Sequence, residues 1–284
     1  MLDMLARGKH RFLSNHSRRT RLRRQRQLQA MPAMPTPYLG LIRSPAKATW
    51  HRTWGHQLRV ASYNVHRWSG VNGRKLDPER AGCVIAEFNA DVIALQEVLR
   101  PFDAEDPLIQ LADTLQLHVV FGVTRLHRRG ELGNAILSRW PAQSAESLDL
   151  SLTRGERRSA IVVHYKEAAR TLSIVATHLA LVDRTRSRQV RLLLEHPHLQ
   201  NGPVVLLGDM NAWRPTQATR DFERLLGTHD NQAWPRTFPA AAPLFALDRI
   251  YTRGVHLMDL QAHDTPAARK GSDHLPVTAR LSWV

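Results

Sequence analysis

Polar side chains that can bind a metal ion or move a proton follow the apolar runs of this sequence. The clearest case is the stretch VVLLGDMNAWRP, where a buried-strand pattern leads into Asp209 and Asn211. Other apolar runs are followed or interrupted by Asn64, Glu97, His178, Asp248, Asp273 and His274. Any one of these residues is ordinarily a turn former or a hydrogen-bonded core residue. Eight of them at strand ends indicate one active site held by rigid elements.

The donor types favour a hard cation. Carboxylate and amide oxygens suit Mg²⁺ or Mn²⁺, and Mg²⁺ leaves coordination positions for water and substrate phosphate. The sequence lacks the His and Cys spacing of a structural zinc site. We therefore predict a Mg²⁺ cofactor, with Mn²⁺ as the alternative.

The elements that must position these residues alternate between strand and helix patterns in the first half. The run LRVASYN predicts a strand that ends at Asn64, and DVIALQEV predicts a second strand that contains Glu97. Between them, Asp77 and Pro78 mark the start of a helix over residues 78–89. Asp106 and Pro107 repeat the same helix-start signal.

The second half supplies further strands and two more helices. The predicted strands are GNAILSR, RRSAIVVHY, TLSIVATHLA, PVVLLGDMN, LFALDRIYT, VHLMDLQA and LPVTARLSW, and the second and third of these form a hairpin. Helices are expected at 184–196 and near 216–226. This order predicts an α/β protein with two packed sheets, helices outside, and one domain over residues 58–284.

The positive charge of the chain is concentrated at its start. Residues 1–58 carry a net charge of +11 of the chain's +15, which leaves +4 for the remainder. We interpret residues 1–57 as a basic, disordered, solvated arm. The alternatives are a tether to an anionic membrane or to nucleic acid, and an organelle-targeting leader.

Hydropathy and cysteine content set the expected compartment. No apolar run approaches the roughly 18 residues that span a bilayer, and the arm lacks the apolar segment of a secretory signal. Cys83 is the only cysteine, so no disulfide within the chain is possible and a reducing compartment is permitted. We expect a cytoplasmic protein, with peripheral membrane association as the alternative.

The motifs, taken in order, resemble those of the endonuclease/exonuclease/phosphatase superfamily, which has the deoxyribonuclease I-like fold. The resemblance rests on SYNVH, LQEV, GNAILSRWP, ATHL, LLGDMNA, LDRIY and SDHLPV, which together span about residues 58–284. The loop WPRTFPAAAPLFALDRIY looks like that of the bacterial branch near the sphingomyelinase-like phosphodiesterases. The resemblance implies a four-layered α/β/β/α sandwich and metal-dependent attack of water on a phosphate ester.

The resemblance also implies roles for individual residues. Glu97 would be the main metal ligand, with Asn64 and Asp273 near the ion. Asp209 would orient or deprotonate the attacking water, and Asn211 would hold that water or a phosphate oxygen. The residues expected to stabilise charge on the phosphate are His178 and His274, the latter oriented by Asp248. Asn134, Arg157 and Arg158 are the expected substrate-binding residues.

Three functions remain open at this point. The first is a phosphodiesterase acting on a phospholipid headgroup or another small phosphodiester. The second is a DNA endonuclease or exonuclease, which the arm and the arginines at 125, 128, 129, 157 and 158 favour. Against it, the domain carries only +4, where a protein that neutralises many phosphates would be more basic. The third is a non-catalytic binding protein, which the complete set of competent site residues argues against.

Overall fold

Apolar runs with strand periodicity form two β-sheets. The computed structural model describes residues 37–45, 53–71, 73, 76–152, 157–227 and 233–284. Within them the strands are β1 (Tyr38–Arg43), β2 (Gln57–Asn64), β3 (Val92–Pro101), β4 (His118–His127), β5 (Gly130–Ser138), β6 (Ser144–Asp149), β7 (Ser159–Glu167), β8 (Arg170–His178), β9 (Val204–Asp209), β10 (Asp248–Arg253), β11 (Val255–Ala262) and β12 (Val277–Trp283). One sheet has the order β1-β4-β5-β3-β2-β12-β11, and the other has the order β10-β9-β8-β7-β6.

The helices begin where the sequence supplies caps. They are α1 (Pro78–Glu87), α2 (Pro107–Leu115), α3 (Asp183–Leu194), α4 (Pro197–Gln200), α5 (Gln217–Leu226) and α6 (Ala268–Gly271), and a 3₁₀ turn spans His66–Trp68. The Asp77 and Asp106 carboxylates accept hydrogen bonds from backbone N–H groups of the first turns of α1 and α2. Each cap is followed directly by proline, as the sequence predicted.

The packing of the core defines four layers. Val92 and Ala94 of β3 face the second sheet and join a cluster that contains Ile174 of β8. The alternate residues of β3 face outward, where Leu95 packs in a cluster with Leu108 of α2. On the other outer face, α3 and α5 pack on β8 and β9. Each large aliphatic side chain buried in these clusters contributes about 1.5–3 kcal/mol to stability. The predicted α/β/β/α sandwich of two mixed sheets is confirmed.

Strand β1 corrects the predicted boundary of the arm. Tyr38–Arg43 pairs with β4 at the edge of the larger sheet. Arg43 forms a two-pronged ion pair with Asp113, with both N···O distances 2.8 Å, and the Tyr38 hydroxyl donates to Glu131 at 2.9 Å. The prediction of a disordered arm is therefore wrong for this strand, whose short apolar run was outweighed by the surrounding charge. The basic segment over residues 7–26 lies outside the described residues.

One further difference concerns the strand predicted before β11. The predicted strand LFALDRIYT begins only at Asp248, because Phe245 instead forms an isolated bridge with Phe238. Trp68 is a core residue, buried to 2% exposure, and its indole N–H donates to the Leu99 carbonyl at 2.8 Å. Among the described residues, every helix is too short or too polar to cross a bilayer.

Candidate active site

Strand register brings the predicted site residues to one edge of the sandwich. In the smaller sheet, Asp209 is paired with His178 on one side and with Asp248 on the other. In the larger sheet, Asn64 ends β2 beside β3. The two edges meet where the Asn64 amide nitrogen donates to Asp209 Oδ2 at 3.1 Å. A contact between residues 145 positions apart therefore closes the site.

Asp209 lies at the centre of this site and is almost fully buried. Its Oδ1 accepts the backbone N–H of Asn211 at 2.9 Å. His178 Nε2 lies 3.4 Å and His274 Nε2 lies 3.8 Å from its Oδ2. Burial raises the pKa of Asp209 to about 6, with His274 opposing the shift and Asp248 adding to it. Such a carboxylate is ionised at neutral pH and is basic enough to accept a proton from water.

His274 is held by a buried carboxylate. Its Nδ1–H donates to Asp248 Oδ2 at 2.8 Å, and the Thr237 hydroxyl donates to the same oxygen at 2.6 Å. Burial alone would lower the pKa of His274, but the charges of Asp248 and Asp209 raise it to about 10. His274 is therefore a cation across the physiological range and can stabilise negative charge on a phosphate.

His178 has the opposite protonation state. Burial lowers the pKa of His178 well below its usual value, and the positive charges of Arg158, His274 and Arg125 lower it further. A neutral and a cationic imidazole thus flank one carboxylate. Environments that push the pKa values of two neighbouring groups apart in this way are typical of active sites, where one group acts as an acid and the other as a base.

Asn211 is fixed by its backbone and its amide. Its φ of 47° is left-handed, which a non-glycine residue adopts only when its surroundings hold it there. The side-chain amide nitrogen donates to the Leu179 carbonyl at 2.8 Å. The predicted role of Asn211, to hold the attacking water or a phosphate oxygen, stays a prediction.

Glu97 projects from a bulge in β3. The bulge lies between Leu95 and Val98, and Glu97 itself has a left-handed φ of 53°. The carboxylate is 26% exposed, and its Oε2 lies 3.4 Å from Arg67 Nε. A strained, partly exposed carboxylate at a strand irregularity is a common feature of functional sites.

Asp273 lies on the other side of Asn64. The Ser272 hydroxyl donates to the Asn64 carbonyl at 2.6 Å and lies 3.2 Å from Asp273 Oδ1. His66 Nδ1 lies 3.5 Å from the same oxygen. Glu97 and Asp273 therefore each have one basic neighbour, Arg67 and His66 respectively.

These residues fit a hard divalent cation. Glu97 and Asp273 supply partly exposed carboxylate oxygens on either side of β2. The Asn64 amide oxygen accepts the His66 backbone N–H at 3.0 Å, which leaves it one lone pair, while its nitrogen is committed to Asp209. An all-oxygen set with few protein ligands matches the preference of Mg²⁺.

A second group has metal-like spacing but a different chemistry. Ligand atoms of Asp209, Asp248 and His274 all lie within 4.8 Å of one another. The Nδ1–H of His274 donates to Asp248, and the charges of Asp248 and Asp209 raise the pKa of His274 to about 10. We interpret this group as a hydrogen-bonded relay and not as a metal site.

The outcome differs between the three predicted substrate-binding residues. Asn134 lies in β5 opposite the bulge of β3, and its amide donates to the Ser159 carbonyl at 3.1 Å, so it supports the start of β7. Arg158, next to Ser159, acts electrostatically on His178 and so lies by the site. Arg157 stays a prediction.

Three neighbours of the site were not among the site residues predicted from the sequence. Thr237, which orients Asp248, lies eleven residues before it in a proline-rich loop with no recognisable pattern. Arg67 follows the SYNVH motif directly, and that adjacency was the only available signal. Phe238 also reaches the site, since its ring centroid lies 4.9 Å from that of His274.

The fold and the site together define a family. The model of the Endonuclease/Exonuclease/phosphatase family matches residues 71–274. The chain belongs to this family, as the sequence motifs indicated.

Individual proteins are similar to this chain in sequence or in fold. The chain is 29% identical over 250 residues to the uncharacterized protein YbhP of Escherichia coli (strain K12), covering 81% of this chain and 98% of that protein. The human Nocturnin catalytic domain with bound sulfate has a TM-score of 0.64 at 24% identity, covering 82% of this chain and 97% of the other. D. rerio TDP2 complexed with single-strand DNA product has a TM-score of 0.60 at 18% identity, covering 80% and 100%. The two structures share the fold.

Proposed function

We propose that this protein is a metal-dependent phosphodiesterase that acts on a phospholipid headgroup or another small phosphodiester. Membership of the family supports phosphoester hydrolysis of the phosphatase or nuclease type. The observation that carries the proposal is the buried relay, in which Asp248 keeps His274 cationic at 2.8 Å beside Asp209. This arrangement places a base, Asp209, and a cation, His274, next to each other in the site.

The residues divide the work of a hydrolysis between them. Asp209 accepts a proton from the attacking water, since its pKa of about 6 suits a base at neutral pH. Asn211 holds the water beside it. His274 donates to a phosphate oxygen and stabilises the charge that grows there in the transition state.

Glu97 and Asp273, with Asn64 between them, are the residues that would hold Mg²⁺, or Mn²⁺ in its place. The bound ion would neutralise charge on the phosphate and leave room for water and substrate. His178 stays neutral beside Asp209, so it donates a hydrogen bond without adding a second full charge.

The loops favour a small or lipid substrate over duplex DNA. Only 36 residues separate Asn211 from Asp248, and α5 occupies ten of them. That segment leaves little length for an insertion that reads a duplex. It presents instead an aromatic wall made of Trp213, Phe238 and Phe245, with ring centroids 5.0 and 5.5 Å apart.

A nuclease is the second candidate, and one observation favours it. Arg67, Arg125, Arg128 and Arg129 all act electrostatically on His127, so they form a basic cluster near Glu97. Such a cluster can contact a nucleic acid backbone. The basic arm is compatible with both candidates, as a tether either to an anionic membrane or to nucleic acid. A cytoplasmic location with peripheral membrane association is also compatible with both.

A direct assay separates the candidates. The full chain with Mg²⁺ is incubated with supercoiled plasmid and with mixed phospholipid vesicles, alongside an Asp209→Asn variant that controls for contaminants. We expect release of headgroup phosphate from vesicles by the wild-type protein alone. Plasmid nicking by the wild-type protein without headgroup release would establish the nuclease. Failure to bind Mg²⁺ or Mn²⁺ in calorimetry, with no hydrolysis, would favour the non-catalytic alternative.

A further inference from the structure

Exposed apolar side chains gather on the loops around the candidate site. We call this group the apolar rim, and it consists of Leu152, Leu181, Val182, Trp213, Leu244 and Phe245. Their exposed fractions lie between 37 and 61%. All six lie on loops that follow β6, β8 and β9 or precede β10, at the edge where Asp209 lies. Scattered exposed apolar residues are normal, but a group around a site marks an interaction surface.

Contacts between the loops make the rim continuous. Arg214 forms an ion pair with Asp183 at 3.1 Å, which joins the loop of Trp213 to the loop of Leu181 and Val182. The Trp213 ring lies 5.0 Å from that of Phe245.

Gln189 of α3 extends the rim to the loop after β6. Its side chain accepts the Ala180 backbone N–H at 2.8 Å and donates to the Leu150 carbonyl at 2.9 Å, which fixes the loop of Leu152. On the inner side, Phe238 lies between Trp213 and His274, with ring centroids 5.5 and 4.9 Å from theirs. The rim therefore leads directly into the site.

Arginines flank the rim. Arg125 and Arg128 are exposed in the β4–β5 hairpin, and β4 packs against β7, whose first residues follow Arg158. A surface that combines exposed apolar side chains with arginines matches the headgroup boundary of an anionic membrane, where each basic residue adds attraction and apolar groups insert.

The aliphatic members of the rim decide between membrane and nucleic acid. Bases stack on aromatic rings, so Trp213 and Phe245 suit either partner. Leu181, Val182 and Leu244 are among the more exposed members, at 54, 58 and 61%, and have no flat face for a base. Phosphates offer them no apolar contact, whereas acyl chains do.

We propose that the apolar rim inserts into the headgroup boundary of an anionic bilayer and presents a lipid phosphodiester to the site. The choice of substrate rests on the proposed function, but the docking does not require turnover. The two can therefore fail separately.

The test measures vesicle binding by the full chain in an Asp209→Asn background, so that the lipid stays intact. Vesicles contain phosphatidylcholine and phosphatidylserine, and salt is set near 1 M, where a Debye length of about 3 Å screens the arginines and the arm. Replacing Leu244 and Val182 with Ser should weaken binding at least about tenfold, because two apolar side chains no longer leave water.

Matched controls lie elsewhere on the surface. Met258 and Leu192 are exposed to 50 and 42% and lie on β11 and α3, outside the rim. Their replacement with Ser should leave the affinity for vesicles unchanged. Equal losses in the rim and control variants, or no loss in either, would overturn the proposal.

A second readout locates the rim in the bilayer. Lipids with brominated acyl chains quench tryptophans that insert, so we expect quenching in the parent protein and its reduction in Trp213→Phe. Unchanged quenching in that variant would refute insertion at the rim. Tighter binding to single-stranded DNA than to vesicles, weakened by the Leu244 and Val182 changes, would assign the rim to nucleic acid.

Hydrolysis of a soluble phosphodiester separates the two proposals. If the wild-type protein hydrolyses bis(4-nitrophenyl) phosphate but binds no vesicles, the rim proposal fails and the enzyme remains. If it binds vesicles through the rim but hydrolyses neither lipid nor soluble diester, the docking surface stands and the proposed function fails.

Discussion

Replacement of Asp248 with Asn should convert His274 from a cation into a neutral imidazole at working pH. The wild-type pKa of His274 is about 10, because Asp248 at 2.8 Å and Asp209 outweigh burial. At an effective dielectric constant near 20, loss of one charge at this distance removes roughly 6 kcal/mol, or about four pKa units. The variant's His274 should then titrate near or below its usual 6.5, since burial still opposes the charged form.

The expected consequence is a shifted alkaline limb in the pH–rate profile. Hydrolysis of bis(4-nitrophenyl) phosphate with Mg²⁺ is measured from pH 6 to 9.5. For the wild-type protein, kcat/KM should stay level above pH 7. For Asp248→Asn, it should fall about tenfold with each pH unit above 6 and be about 10²-fold lower at pH 8, because only the cationic form of His274 acts as the transition-state donor.

Asp259, which pairs with Arg280 on β11 and β12, is the matched control, because Asp259→Asn removes an acid away from the site. Circular dichroism checks that both variants fold. An Asp248→Asn enzyme with the wild-type alkaline limb would refute the assignment of His274 as the cationic donor.

Three further predictions follow from the site and the fold. Glu97→Gln and Asp273→Asn should each weaken Mn²⁺ binding by about ten- to a hundredfold in calorimetry, since each removes a charged ligand, whereas unchanged affinity would place the ion elsewhere. Asp209→Asn should abolish turnover and raise the free energy of unfolding at pH 7.5 by up to roughly 3 kcal/mol. The folded pKa of Asp209, about 6, exceeds the unfolded value of 3.8, so ionisation of this group above pH 6 costs stability. A less stable variant in urea denaturation would contradict this. A chain that begins at residue 58 should unfold at lower urea than one that begins at residue 37, because it lacks β1 and the Arg43–Asp113 pair; equal midpoints would show that β1 adds nothing.

Apolar runs and capping residues predicted most of the main elements, but not β4, although its run VVFGV is apolar. The Asp-Pro pairs at 77 and 106 determine where α1 and α2 begin, and the run before Asp209 forms β9 as expected. Strand β6 escaped prediction because Ser144–Asp149 is a polar edge strand with half-exposed residues. Strand β1 escaped because its pairing with β4 is tertiary, and local composition does not encode it.

The site was predictable in its residue types but not in its couplings. Motifs identified Asp209, His274 and Asp248, and the register of β9 and β10 brings them together. Neither the contact of Asn64 with Asp209 nor that of Thr237 with Asp248 leaves a local pattern in the sequence. The opposite protonation of the two histidines depends on burial and on neighbouring charges, which only the folded chain defines.

The central claim is that water, activated by Asp209, attacks phosphorus. The most direct test is hydrolysis of bis(4-nitrophenyl) phosphate in H₂¹⁸O with Mg²⁺. The isotope shift in the ³¹P NMR spectrum of the product shows whether ¹⁸O has been incorporated. We predict one ¹⁸O in the phosphate product of the wild-type protein and no product from Asp209→Asn. Phosphate without ¹⁸O, or equal product from both proteins, would contradict the account.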